Sequence, residues 1–495
     1  MRTGSPLRSF AVVVAVCVMC AAVPAFAQSV PPQLTVAVGA PTPDLPANIS
    51  APAVAPPLPG ACGSISQFAT TNCQLTYHGI TVYGTIDLGV AWQSHGTPFN
   101  GASVTGIEEF ISKNGNRSLV SFAPNGLSNS NIGVKGYEEI VPGWAAIFDL
   151  QAGFDPYSLQ LSNGPKSLMQ NDGVALSRQT SNGDSSRAGQ FYNGLGYAGI
   201  SSPTFGTLTA GRQNSLTLDG VIAYDPLAAS YAFSPLGYSG ATAGVGDTED
   251  ARYTTALKYL LKIDPFRFAA LYQAGGYGAG NASTNAYQLQ AGGDFLGGRY
   301  GALSLDAIYS NVVDAVSLSA LSAAQQSKYP GTLAATISND NSIMLLARYT
   351  YGQVTLYDGY EYVLFENPSN PQTGFTDIAG SQVATANINN TAYSRNRELQ
   401  IFWTGAKYAV TSDLDIRGGY YHYIQNSYNT KSCDNTSSSK CSGTLDAVSF
   451  DVDWRFAAKF DAYAGAMYSG VNGGLASGFL HHTTIDPDAG VRFRF

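Results

Sequence analysis

The chain has 495 residues, of which only 12% are charged and 12% aromatic, with 30 Tyr and 54 Gly; soluble domains typically carry about 25% charged residues. Its net charge of −8 comes with no basic stripe, which argues against nucleic acid as a partner. Such a composition suits a barrel whose outer face meets lipid and whose inner face meets water, although a large secreted all-β protein would share it.

At the start, Arg2 and Arg8 precede an apolar run from Phe10 to Ala22 and a small-residue cleavage pattern at Ala25-Phe26-Ala27. The run is shorter than the roughly 20 residues a spanning helix needs. Residues 1–27 are therefore expected to be a signal peptide, cleaved after Ala27, whose loss leaves the chain about two units more negative and removes Cys17 and Cys20. In an oxidising compartment the remaining cysteines fall into two local pairs, Cys62 with Cys73 and Cys433 with Cys441, expected as short-loop disulfides. Neither pair has the spacing or nearby histidines of a zinc site, so neither a metal nor a cofactor is expected.

Residues 28–76 read as a proline-rich leader carrying the first cysteine pair, since a stretch studded with Pro31, Pro32, Pro41, Pro43, Pro46, Pro52, Pro56, Pro57 and Pro59 cannot build a core. From Tyr77 onward, segments of roughly ten residues alternate in side-chain character between turn residues. The final one is clear: Ala489, Val491, Phe493 and Phe495 fall on one face, Arg492 and Arg494 on the other, so the arginines point inward. The same test gives strands near 78–93, 128–140, 144–155, 191–202, 206–216, 251–263, 266–278, 285–297, 299–313, 341–352, 353–366, 397–411, 413–428, 444–457, 460–472 and 484–495. The expected fold for 77–495 is thus an all-β, transmembrane antiparallel barrel of about 16 strands. Its connections alternate between short turns such as Val141-Pro142-Gly143 or Asp264-Pro265 and long loops near 94–127, 156–190, 217–250, 279–284, 314–340, 367–396, 429–443 and 473–483. Short turns belong on the periplasmic side, and aromatics beside them, such as Tyr259, Tyr349 and Tyr351, suit an interfacial girdle.

Against that pattern, Ile80-Thr81-Val82-Tyr83-Gly84-Thr85-Ile86-Asp87-Leu88-Gly89-Val90 resembles the opening strand of Gram-negative trimeric general porins of the neisserial and burkholderial type. Blocks in family order follow at Ser130–Glu139, Ala145–Gln151, Phe205–Gln213, Gly405–Thr411 and Gly490–Phe495. The leader before Tyr77 departs from the family pattern, and Asn131 stands where many such porins carry arginine. The resemblance implies a water-filled homotrimer integral to the cell outer membrane, passing small hydrophilic solutes and ions by diffusion. It further implies that Phe495 is read by the barrel-assembly machinery, and that the third long connection folds into the lumen as a constriction loop.

A pore of this kind works through the electrostatics of its narrowest point. Strand parity directs Lys135, Arg252, Arg348 and Arg417 inward, with Tyr253, Leu257 and Tyr259 outward, and Arg212 in its family-like block is the leading candidate for a basic wall. The third loop offers Asp219, Asp225, Asp247, Glu249 and Asp250 and neither lysine nor arginine, so a weak cation preference is expected, set chiefly by Asp219 and Asp225. A channel selective for sugars or carboxylates is the alternative, through Tyr224, Tyr231, Phe233 and Tyr238. An outer-membrane enzyme would rest on the single local cluster His481, His482 and Asp486, in a long loop. An adhesive barrel would need a large passenger domain ahead of the strands.

Overall fold

The computed structural model describes residues 60–96, 111, 117–157, 159, 191–238, 252–274, 285–315, 338–367, 369 and 394–495. A helical turn, α1 (Ile65–Thr70), leads to a short β1 (Leu75–Tyr77), which reverses through His78 and Gly79 into β2 (Ile80–Gly96). Then come β3 (Arg117–Pro124), β4 (Asn131–Val141), β5 (Trp144–Gly153), β6 (Gly196–Ser202), β7 (Gly206–Asn214), β8 (Arg252–Ile263), β9 (Phe266–Ala274) and β10 (Asn285–Phe295). The remaining strands are β11 (Ala302–Ala315), β12 (Ser338–Tyr351), β13 (Val354–Glu366), β14 (Arg397–Ala409), β15 (Leu414–Gln425), β16 (Gly443–Ala457), β17 (Phe460–Gly473) and β18 (Thr483–Arg494).

From β4 on, each strand pairs antiparallel with the next, and β18 returns to β2 with Val491 opposite Leu88. Mutual backbone bonds of 3.0 Å between Gly84 and Phe495 finish the seam. A closed sheet leaves no edge whose polar groups would meet lipid. β3 pairs with the far half of β2 and β4 with its near half, so the two act as one spanning strand and the barrel has sixteen.

Here the sequence reading needs a correction, because it left 117–124 inside a long loop. The alternation is interrupted where Asn125–Ser130 steps out of the sheet, with Asn125 at a φ of 69°. The carboxylate of Asp87 takes up that excursion, accepting from the backbone N–H groups of Leu127 and Ser128 at 2.9 Å each and from the Tyr463 hydroxyl at 2.8 Å. Asp87 is thus fully buried as a structural group.

Ile132, Leu257, Tyr259, Leu289, Val448 and Phe450 stand exposed on the outer face, an apolar surface that suits lipid. At the short-turn end Phe460, Phe493 and Phe495 form a ring stack with centroids 4.8 and 5.4 Å apart, and the Tyr349 hydroxyl donates to the Tyr300 carbonyl at 2.9 Å. At that end Cys62 and Cys73 are bonded, with Cα atoms 5.1 Å apart. Lys459, in the β16–β17 turn, donates to the Cys73 carbonyl at 3.0 Å and lies 4.5 Å from the Phe68 ring, fixing this small loop to the rim. Cys433 and Cys441 are bonded in the β15–β16 connection, Cα atoms 4.7 Å apart.

Candidate functional site

Beyond β7 the chain enters α2 (Leu216–Tyr224), capped by the Ser215 hydroxyl, which accepts from Leu218 N–H at 3.0 Å. Leu216, Leu218, Val221, Tyr224, Leu227 and Phe233 are buried in one cluster with inward-facing Ile308, Met344, Leu346, Ile401, Trp403 and Met467. The segment from 216 to 236, ending in α3 (Pro235–Tyr238), therefore lies along the inner wall of β10 to β17. The wall provides room at Gly405 and Gly419, where a Cβ would meet Pro226 at 2.6 and 2.9 Å.

Polar anchors follow the segment in order. Lys258 bonds Asp219 and donates to the Asn214 carbonyl at 3.1 Å. The Tyr224 hydroxyl donates to Asp306 at 2.5 Å and accepts from Arg267 at 2.6 Å, while Trp403 Nε1 donates to the Tyr224 carbonyl at 3.0 Å. Arg348 donates to the Ala223 carbonyl at 3.3 Å with its guanidinium 5.5 Å from the Tyr224 ring. Asp225, only 1% exposed, accepts from the Tyr421 hydroxyl at 2.5 Å and from Ala229 N–H at 2.7 Å, and burial pushes its pKa above the ordinary carboxylate value. The run closes where Ala232 N–H donates to the Gly126 carbonyl at 2.9 Å, on the β3–β4 excursion.

Two expectations about the loop change accordingly. Asp219 is neutralised by Lys258, and Asp225 is an internal fastener; neither presents an uncompensated carboxylate to the lumen. Asp247, Glu249 and Asp250 lie outside the described residues.

Of the candidate cations, Lys135 faces inward, its ammonium 5.3 Å from the Tyr83 ring, and the Tyr83 hydroxyl donates to Asp149 at 2.5 Å. Arg417 faces inward but forms a two-pronged pair with Asp451 at 2.7 and 2.6 Å. Arg212 departs from its expected role. Its side chain is buried, donating through Nε and Nη2 to the Asn193 carbonyl at 3.1 and 2.9 Å. Arg252 departs too: Thr255, at a φ of 52°, breaks the parity of β8, so that Tyr253 is buried in the inner cluster and Arg252 alternates away from it.

Toward the short turns the inner wall changes character. Arg417 also approaches Asp453 at 3.7 Å, Arg492 bridges Asp453 at 3.7 Å and Asp461 at 2.7 Å, Arg494 joins Asp461 at 2.9 Å, and Arg455 pairs with Asp415 at 3.0 Å. Arg492 and Arg494 thus face inward, where parity put them. Lys407, which forms no salt bridge among the described residues, stands in the electrostatic reach of Asp415 and of Arg417, Arg455 and Arg348. Sequence reasoning passed over Lys407 and Arg455; for Lys407 the signal was its alternation with Tyr408, which faces outward.

A family model described as Gram-negative porin matches residues 11–474. No curated protein matches the chain. Among solved structures, the anion-selective porin from Comamonas acidovorans aligns at 14% identity and a TM-score of 0.54, over 84% of this chain and 99% of that one. OmpT, an outer membrane protein of Vibrio cholerae, aligns in its loop L8 deletion form at 15% identity and TM-score 0.52, and in its trimer form at 14% and 0.51, each over 84% of this chain and 99% of the other. These likenesses, at low identity, are likenesses of fold. The closed sixteen-strand barrel and the family match over most of the length together assign the chain to the Gram-negative porin family, as an integral diffusion channel of the outer membrane.

Proposed function

We propose that the exported chain, cleaved after Ala27, works as a homotrimer whose three lumens each pass small hydrophilic solutes without chemical turnover. Solutes would cross between the 216–236 segment and the facing wall of β4 to β6, where Lys135, Asp149 and Tyr197 stand. The trimer form of the Vibrio cholerae protein supports the assembly, and the pairing of Phe495 with Gly84 at the seam suits a terminal signal read during barrel assembly.

In place of the cation preference expected from loop composition, we read the pore as weakly anion-preferring. The observation that carries this is the engagement of both described loop carboxylates, by Lys258 and by Tyr421, while Lys135, Arg348 and Lys407 form no salt bridge among the described residues. Two unit charges at 4 Å interact by about 1 kcal/mol in water and several times more where solvent is restricted. A carboxylate held in a buried pair or hydrogen bond therefore contributes less to the pore field than cations that stand outside any salt bridge among the described residues. The anion-selective Comamonas porin is consistent with this. Planar-bilayer recordings across a potassium chloride gradient test it: a reversal potential of anionic sign is expected, and a cationic sign refutes the preference. Migration as a heat-modifiable trimer is expected alongside; a monomer in every mild detergent contradicts the assembly.

A further inference from the structure

The inner wall just beyond the 216–236 segment, toward the short turns, carries more positive charge than its carboxylates neutralise. Arg417 is spoken for by Asp451 and Arg455 by Asp415, but among the described residues Arg348 donates only to a backbone carbonyl and Lys407 forms no salt bridge. The two sit on inward positions of strands separated by β13: Arg348 is opposite Tyr357, and Lys407 is opposite Thr355, two residues away on the same face. Two strand spacings and the two-residue offset put their backbones roughly 12 Å apart, a gap that two long side chains close around a small ligand with negative oxygens on two sides.

We propose that Arg348 and Lys407 form a binding site for a small oxyanion of charge −2, a charge that inorganic phosphate and short dicarboxylates share. The proposal rests on the diffusion-channel reading and names a class of solute for it. A site of this kind holds a dianion briefly on its way through and favours it over monovalent anions of like size. The Arg417–Asp451 and Arg455–Asp415 pairs keep the surrounding field from trapping it, since conduction needs binding weak enough to leave. Asp415 is the carboxylate acting on Lys407 and limits the attraction.

The experiment uses full-length trimer in planar bilayers with potassium chloride on both sides and inorganic phosphate, malonate or acetate added at constant ionic strength and neutral pH. Phosphate and malonate are expected to reduce chloride current saturably, and acetate to do so only in proportion to chloride replaced. Loss of one charge-assisted contact, in Lys407→Gln or Arg348→Gln, is expected to weaken the saturating effect about tenfold. Lys407→Arg should retain it, as should Lys262→Gln, which removes a positive charge beside Asp294 elsewhere on the wall. If phosphate and malonate behave as acetate does, or if Lys262→Gln weakens saturation as much as Lys407→Gln, the site does not exist and only a diffuse field remains. Absence of any chloride conductance would instead overturn the channel reading itself.

Discussion

The inward face of this barrel has two territories with the same strand parity and opposite chemistry. Under the 216–236 segment, inward residues are Ile308, Met344, Leu346, Ile401, Trp403 and Met467, packed as in a globular core. Nearer the short turns, the same rows continue as Arg417, Asp451, Asp453, Arg492 and Asp461, largely buried charges joined in one run of ion pairs. What differs is what makes burial stable. Under the folded segment, apolar burial at about 25 cal/mol per Å² decides which side chains are stable inward; beyond it the inward charges are buried as well, and each is stable because an opposite charge and hydrogen bonds satisfy it.

The sharpest way to break the comparison is to make the covered wall wet. Leu227→Asp sets a charge where the side chain is fully buried, which should cost roughly 3–5 kcal/mol of local docking. The segment is expected to undock and conductance to rise severalfold with added noise. Wild-type conductance from a folded variant would mean that the segment does not narrow the lumen. Asp225→Ala acts on the same contact more gently. It leaves Tyr421 and Ala229 without their acceptor, worth about 1–3 kcal/mol, and flickering between two conductance levels is expected, with steady single-level traces as the contrary result.

Protonation sharpens the point. Burial raises the Asp225 pKa above its ordinary 3.8, so across the window between the two values the docked segment keeps a proton that an undocked one has released. Docking is fully favoured below 3.8 and weakens as pH climbs toward the raised value, by at most about 1.4 kcal/mol per unit. Flicker should therefore grow from acid toward neutral pH in the wild type and be independent of pH in Asp225→Asn; a parallel pH dependence in both would assign the effect to another group. Smallest of all, Cys433→Ser with Cys441→Ser opens the short β15–β16 connection, which supplies none of the groups argued to hold the segment or the ion pairs, and conductance is expected to change little. A large shift would extend the pore's determinants to the β15–β16 connection.

The sequence made the barrel legible because lipid imposes one rule on every strand: Ile132, Leu257, Val448 and Phe450 had to alternate with something that is not lipid-facing. It did not distinguish the two inner territories, because Trp403 or Met344 inside a barrel looks like noise in the alternation unless the covering segment is known. Arg252 was misread at the register shift between β7 and β8, where one extra residue in β8 reverses parity, whereas Arg212, placed by its family-like block, is buried against the Asn193 carbonyl. Asp219 and Asp225 were identified correctly as loop acids, but their partners Lys258 and Tyr421 come from strands distant in sequence. Counting charges in the loop could not reveal that they are spent on anchoring it.

That spending is the central claim, and reversal potential at low salt measures it most directly, since screening there is weakest. Across a potassium chloride gradient the wild type should reverse on the anion side, and the double variant Arg348→Gln with Lys407→Gln should move toward the cation side. A wild type that reverses on the cation side and moves toward anions in Asp225→Asn would contradict the account, because Asp225 would then act as an open charge of the pore rather than as the fastener of its loop.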